Sequence, residues 1–522
     1  MAIPGEPVLL HEVLERSAER APESPFLRFP DRIVTYGEAE DQANRFARCL
    51  RRLRIRRGDR IGILAENSLD YVLSYYGTLK AGAAAVPINT SLDARGLDFI
   101  LDNCRVRALV TQPRFAEVTT PALARTPDLR HLITRDPGAF GAIPAHIEPI
   151  PLPAALEAES GASAPPCPAV DIDLASIIYT SGSTGQPRGA MLTHLNLVSN
   201  VRSIVTYLRL TSEDRILVIL PFYYVYGKSL LNTHAWAGGS LIVGSDLLFP
   251  NSVVDRMKKD GATGISGVPS TFALLMNRSR LAADTPPSLR YITQAGGAMA
   301  PELIRRLMEA LPGVTIYIMY GATEAGARLT YLPPADLPRK VGSIGRAIPN
   351  VEMRVLREDA TEADVGETGE LVARGSNIMA GYWGDLEETR RVLGPEGFHT
   401  GDLGRRDEEG FLYVVGRKRE MIKCGAHRIS PKEVEEVLME HPEIHEAAVI
   451  GIPDEILGEA ILAFVVLREG HSATEAALKD FASSRLPEYK IPAAFSIRAE
   501  LPKNESGKIQ KQKLKDDWNA RA

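Results

Sequence analysis

The sequence predicts an α/β protein in two unequal parts: a large lobe of parallel-rich sheets covered by helices, then a small α+β domain. Three observations predict it. The chain has 522 residues, several times what one compact core usually holds. Its first half alternates strand and helix patterns, the mark of parallel sheets under helices. A charged run, Arg417-Lys418-Arg419-Glu420, then closes the alternation, and a shorter α+β pattern follows. The division predicted is 1–418 and 419–522.

Residues 36–53 carry apolar side chains at helical spacing and end in Arg51, Arg52 and Arg54. Gly58 and Asp59 break that helix, and 60–65 read as a strand. A second helix over 69–80 leads to the Ala- and Gly-rich stretch 81–88, another strand. The RRLRIRR run reads as a helix C-terminus whose cations suit the dipole and whose heads are solvated, in preference to a phosphate patch. The Pro/Ala/Ser-rich stretch 151–170 shows no sustained periodicity and reads as a surface excursion before a strand over 174–180. Residues 410–416 form a short strand. Ser430-Pro431-Lys432-Glu433 is a capping box with Pro at the first helical position, so a helix starts there. Strands over 447–452 and 461–467 and a helix from 473 to 485 complete the small domain.

The formal charge is 61 − 66 = −5, which excludes a generally cationic, nucleic-acid-coating protein. No apolar run approaches the ~18–20 residues that span a bilayer. The start, MAIPGEPVLLHEVLE, lacks a basic stretch followed by an apolar one, so no secretory signal is expected. Cys49, Cys104, Cys167 and Cys424 form no C-x-x-C pair, which argues against a zinc ribbon or disulfide framework. A cytoplasmic enzyme is the class these numbers allow.

The strongest local signal is YTSGSTGQPRG at 179–189. A strand runs into hydroxyl pairs, three glycines and Arg188. Glycines let the main chain approach a polyphosphate, and N–H and hydroxyl groups wrap its oxygens. It is no Walker loop: counting from Gly182, Pro187 stands where the second Gly belongs and Gly189 where the hydroxyl belongs. The loop resembles the phosphate-binding signature of the adenylate-forming superfamily, which includes acyl- and aryl-CoA synthetases, peptide-synthetase adenylation domains and firefly luciferase. Seven further segments follow the same family in order: KAGAAAVPIN (80–89), LPFYYVYG (220–227), QAGGAM (294–299), MYGATEAG (319–326), GYW (381–383), TGDLGRRDEEGFLYVVGRKREMIK (400–423) and LPKNESGKIQK (501–511). Together they cover nearly the whole chain.

The resemblance implies a large lobe that also holds a distorted barrel, and a C-terminal domain that rotates between two half-reactions. It implies that ATP is bound by Thr180, Ser181, Gly182, Ser183, Thr184, Gly185 and Arg188. Tyr320 would give a flat ring to adenine, between Met319 and Gly321, with Gly296, Gly297 and Ala298 as the opposite wall. Thr323 would bond the α-phosphate and Glu324 would hold Mg²⁺, a hard cation that suits carboxylate oxygen. Asp402, which read alone is a turn residue, would accept two hydrogen bonds from the ribose diol, beside Arg417. Lys508 would bridge the substrate carboxylate and the α-phosphate. Arg419 stands at the hinge, where the family usually has Asp or Lys. Lys423, Gly425 and Ala426 would line the thiol channel, with Ala426 in place of the usual Gly. Arg188 likewise replaces a usual Lys.

The acid itself is less defined. Tyr224 takes the place of the family's gate to the acyl pocket, and Gly267, Gly297, Ala322 and Gly326 would leave walls of small side chains. Residues 221–245 hold no Asp or Glu, which argues against an α-amino acid. Lys228 reads as a solvent-facing or surface-paired cation, with a second substrate carboxylate or hydroxyl as the alternative. The leading expectation is an AMP-forming acid–thiol ligase that uses ATP, Mg²⁺ and CoA. Its rival loads the phosphopantetheine of an acyl carrier protein; luciferase-like oxygenation and a non-catalytic nucleotide module are further classes. Fatty acid metabolism is one setting, no nucleic-acid partner is expected, and a homodimer is compatible with the sequence.

Overall fold

The computed structural model describes residues 6–161, 163–180, 187–425, 427–503 and 509–520. Among them, eight strands form one sheet in the spatial order Gly381–Tyr382, Arg188–Thr193, Leu174–Thr180, Ala84–Pro87, Arg60–Leu64, Ala108–Thr111, His131–Thr134 and Glu148–Pro151. The last six run parallel. A second sheet places six more strands in parallel, from Thr315–Tyr320 through Tyr291–Gln294, Gly264–Gly267, Arg215–Leu217 and Ser240–Ile242 to Pro25–Arg28. Antiparallel strands close its edges.

One core joins the two sheets. The helix Leu69–Lys80 is buried along its whole length, which explains why its apolar residues surround it instead of lining one face. It meets the helix Val225–Ala237: the Tyr71 hydroxyl donates to the Phe222 carbonyl at 2.8 Å and the Tyr76 hydroxyl to Asn232 Oδ1 at 3.0 Å. Lys80 is buried with its ammonium on Glu40 at 2.6 Å and Glu15 at 3.2 Å, tying three helices together. The helix Tyr36–Arg52 begins in a full capping box between Thr35 and Glu38.

The arginine run is largely exposed at Arg52, Arg54, Arg56 and Arg57, but its cations are not left to solvent alone. Arg51 and Arg52 do sit in the last helical turn, but the cations of this helix reach across to the Pro-rich excursion. Arg45 donates to the Glu159 carbonyl, Arg48 to the carbonyls of Ser160 and Ser163, and Arg51 to that of Pro166. Arg52 pairs with Glu159 and Arg57 with Asp173. The excursion also contains a short helix, Leu152–Glu157, too brief to announce a period.

A five-stranded antiparallel sheet (Val351–Leu356, Gly369–Gly375, Gly397–Arg406, Leu393–Gly394 and Leu412–Arg417) stands where the distorted barrel is expected. The small C-terminal domain is built on the hairpin Ile444–Asp454 and Gly458–Leu467, with Ala494–Arg498 added in parallel and its own apolar core. Its helix Pro431–Leu438 is capped by Ser430, but the box is only half made. The Glu433 carboxylate turns instead to Lys490, a partner 57 residues away.

Candidate active site

A cavity of about 1100 Å³ opens at the carboxyl ends of the central strands, where α/β sheets present their ligand-binding loops. The strand Leu174–Thr180 delivers Thr180 to its wall. Ser181, Gly182, Ser183, Thr184 and Gly185 lie outside the described residues. Arg188 faces Thr180 across the returning strand and lines the cavity, with its guanidinium 2.6 Å from Glu388 and 3.6 Å from Asp385.

Gln294, at the end of the strand Tyr291–Gln294, donates from its side chain to the Gly297 carbonyl at 2.7 Å and shapes the turn that brings Gly296, Gly297 and Ala298 to the cavity. The neighbouring strand Thr315–Tyr320 brings Met319 and Tyr320, and the chain then folds back on itself. Gly321 is what permits that return: a Cβ there would lie 2.0 Å from the Ala327 carbonyl oxygen. Ala322, Thr323 and Glu324 follow on the cavity wall. Glu324 Oε1 accepts a hydrogen bond from the Tyr382 hydroxyl at 2.7 Å, and burial and that carboxylate push the Tyr382 phenol upward. Two buried amides pin the loop from behind. Asn377 Nδ2 donates to the carbonyls of Ala325 and Arg328 at 3.0 and 2.9 Å, and Asn200 Nδ2 to the same oxygens at 3.3 and 3.0 Å.

Asp402 stands within the strand Gly397–Arg406, not in a turn. Its register partner is Arg417, and Arg417 Nε meets Asp402 Oδ1 at 3.0 Å. The other oxygen accepts from the Tyr320 hydroxyl at 2.6 Å. An ionised carboxylate has about four lone-pair sites, so two bonds leave capacity for two hydroxyl donors. Burial and Asp402 raise the Tyr320 phenol well above its ordinary range. Burial opposes the Arg417 charge, but Asp402, Glu420 and neighbours outweigh it and raise its pKa. Arg419 also lines the cavity, as do Ile509 and Lys511 from the C-terminal segment.

Other expected residues stand apart. Tyr224 precedes the helix Val225–Ala237 and packs against Tyr223, ring centres 4.6 Å apart, off the cavity wall. Gly267 faces Thr271, whose Cγ2 would lie 2.6 Å from an added Cβ. Gly326 faces Asn200 and Asn377 and is backing, not acyl wall. Lys423 lies in the strand Ile422–Cys424 of a C-terminal hairpin and Gly425 at its turn, where the Gly425 N–H bonds the Leu457 carbonyl at 2.8 Å, away from the cavity. Ala426 and Lys508 lie outside the described residues.

Lys228 overturns the solvent reading. It is 1% exposed, with its Nζ 4.4 Å from the Tyr75 ring centre and 5.7 Å from that of Tyr71, and no hydrogen-bond partner among the described residues. Burial pushes its pKa well below the ordinary lysine value. Sequence reasoning also missed Arg328, which lines the cavity, and the two asparagines, which carry no motif of their own. Tyr382 was within reach through the GYW segment, though its bond to Glu324 was not.

The chain belongs to the AMP-binding enzyme family, whose profile matches residues 14–383, and the AMP-binding enzyme C-terminal domain matches 433–508. It is 33% identical over 508 residues to the indoleacetate–CoA ligase of Aromatoleum aromaticum, covering 97% of each chain. It is 32% identical to the sulfoacetate–CoA ligase of Cupriavidus necator, covering 95% of each. Its fold matches a crystal structure of an anthranilate CoA ligase in complex with anthranoyl-AMP with a TM-score of 0.89, at 26% identity and full coverage of both chains.

Proposed function

We propose that this protein is an ATP-dependent, AMP-forming carboxylic acid–CoA ligase. The carrying observation is a single cavity that gathers Thr180, Thr323, Glu324, Asp402 and Arg417 and is lined by the C-terminal residues Ile509 and Lys511 as well. In the first half-reaction the acid's carboxylate oxygen attacks the α-phosphorus of ATP, and pyrophosphate leaves. In the second, the CoA sulfur attacks the acyl carbonyl, its proton is lost, and AMP leaves.

The residues support distinct tasks. Asp402, with lone pairs to spare, takes the ribose hydroxyls, while the Tyr320 hydroxyl and Arg417 fix its direction. The Tyr320 ring sits beneath adenine, and Thr323 reaches the α-phosphate. Glu324 fits a divalent cation: one oxygen is oriented by Tyr382, and the other takes no hydrogen bond among the described residues. Glu324 would hold the cation as a single carboxylate ligand, since no group of three or more His, Cys, Asp or Glu side chains gathers among the described residues. The cation neutralises charge on the departing phosphates. Lys508 completes the first half-reaction, and Lys423, Gly425 and Ala426 reach the acyl-adenylate only after the C-terminal domain turns about Arg419. Four unpaired cysteines support the cytoplasmic expectation, and no helix among the described residues is long and apolar enough to cross a membrane.

The test is a panel of fatty, aryl and dicarboxylic acids scored by pyrophosphate release, with CoA and with holo-acyl carrier protein as alternative acceptors. CoA-dependent AMP release supports the ligase; release only with the carrier protein moves the acceptor. Lys508→Ala is expected to abolish acid-dependent ATP–pyrophosphate exchange while ATP still binds. Normal exchange in that variant overturns the assignment.

A further inference from the structure

The cavity wall holds a cation that the nucleotide chemistry does not use. Arg328 follows the Thr323–Ala325 turn and is 2% exposed, yet it lines the cavity beside Ala322 and Tyr226. Its neighbours are neutral. The guanidinium lies 4.0 Å over the Tyr226 ring centre, Nε donates to Met319 Sδ at 3.3 Å, Nη1 donates to the Ala327 carbonyl at 3.0 Å, and the Tyr207 hydroxyl is close by. No carboxylate pairs with it among the described residues. Lys80, equally buried, does find acids in Glu15 and Glu40, and the half-buried Arg188 finds Glu388; Lys228 rests on aromatic faces but does not line this cavity.

The position is also rigidly built. Asn200 and Asn377 hold the Arg328 carbonyl, and the Tyr226 hydroxyl bonds Thr293 at 2.9 Å, which locks the ring under the guanidinium. Ala327, just before it, takes φ +132°, a strained conformation for any residue but glycine. A desolvated guanidinium without a counter-charge, held over a substrate cavity, is built to receive one. Its planar fork matches an oxyanion.

We infer that Arg328 anchors a second oxyanion on the substrate, so that the acid activated here carries a carboxylate or sulfonate remote from the carboxylate that reacts. This rests on the ligase reading above and names its substrate class. The bare guanidinium over Tyr226 would accept the distal group, leaving the reacting carboxylate to the Thr323 side of the cavity.

The experiment compares matched acids, hexanoate with adipate and phenylacetate with 4-carboxyphenylacetate, on the wild-type chain, Arg328→Met and Arg328→Lys. Acid-dependent pyrophosphate release and the shift in melting temperature on adding each acid are both measured. The wild type is expected to favour the diacids by tenfold or more in kcat/KM. Arg328→Met should lose that preference while its KM for ATP and its own melting temperature stay near wild type, and Arg328→Lys should restore part of it. Preference for the monoacids, or an equal loss for both members of each pair, overturns the assignment of Arg328 while the ligase reading stands. Diacids that raise the melting temperature through Arg328 without pyrophosphate release keep the anchor and sink the ligase reading. Neither response in any acid sinks both.

Discussion

Lys228 and Lys80 show how differently one residue type is handled inside this molecule. Lys80 reaches two glutamates. Lys228 reaches only aromatic faces, and burial pushes its pKa well down. An amine whose folded pKa lies below its unfolded value of about 10.4 is favoured when neutral. Its contribution is therefore fully present above that unfolded value and is lost as pH falls through the folded one. Lys228→Met keeps the stem and removes the charge. It should stabilise the fold at pH 7 by on the order of 1–3 kcal/mol, read as a higher thermal midpoint, with the gain shrinking toward pH 10. A midpoint that falls, or a gain that ignores pH, would show that the tyrosine faces compensate the cation in full. The sequence could not announce this burial, because it depends on Tyr71 and Tyr75, more than 150 residues upstream.

The loop from Gly321 to Arg328 carries the residues proposed to act on the phosphates, and its shape is imposed from outside. Gly321 allows the return, and the amides of Asn200 and Asn377 hold the carbonyls of Ala325 and Arg328. Asn377→Ala removes two hydrogen bonds from buried carbonyls, a cost of about 1–3 kcal/mol at the loop. Acid-dependent ATP–pyrophosphate exchange is expected to slow by about tenfold as Thr323 and Glu324 lose their placement, with little change in the overall circular dichroism. Exchange at the wild-type rate would mean that Asn200 suffices. The regular elements around this loop were legible in sequence: the helices over 36–53 and 69–80 and the strands over 60–65 and 174–180 follow directly from periodicity. The loop's supports were not, since a lone asparagine in a helix and another in a turn give no local signal. Asp402 is proposed as a ligand only through resemblance; its strand setting follows from pairing with Arg417 across the ladder.

At the scale of the whole molecule, the large lobe and the C-terminal domain meet where Lys432 donates to the Val414 carbonyl at 2.6 Å and Ser430 to that of Val415. A domain that turns between half-reactions must break such bonds and remake others. On the proposed rotation this bond is made before the turn and lost after it, so Lys432→Met should slow pyrophosphate exchange several-fold and leave transfer from preformed acyl-adenylate to CoA within about twofold. Equal loss in both steps would argue that the domains keep one arrangement throughout. The charged run places the expected boundary at 418/419, but which side chains bridge it was not legible, since both donors lie in a segment whose local pattern reads simply as the start of a helix.

The arginines of the helix Tyr36–Arg52 grip the Pro-rich excursion almost entirely by its carbonyl oxygens. Every amino acid supplies that oxygen, so apart from Glu159, which Arg52 meets by its carboxylate, the hold is largely blind to which residues occupy the excursion. Its composition can drift across generations at little cost, provided Arg45, Arg48 and Arg51 persist. Among relatives, the variable text and the invariant clasp should therefore fall on opposite sides of the same contact.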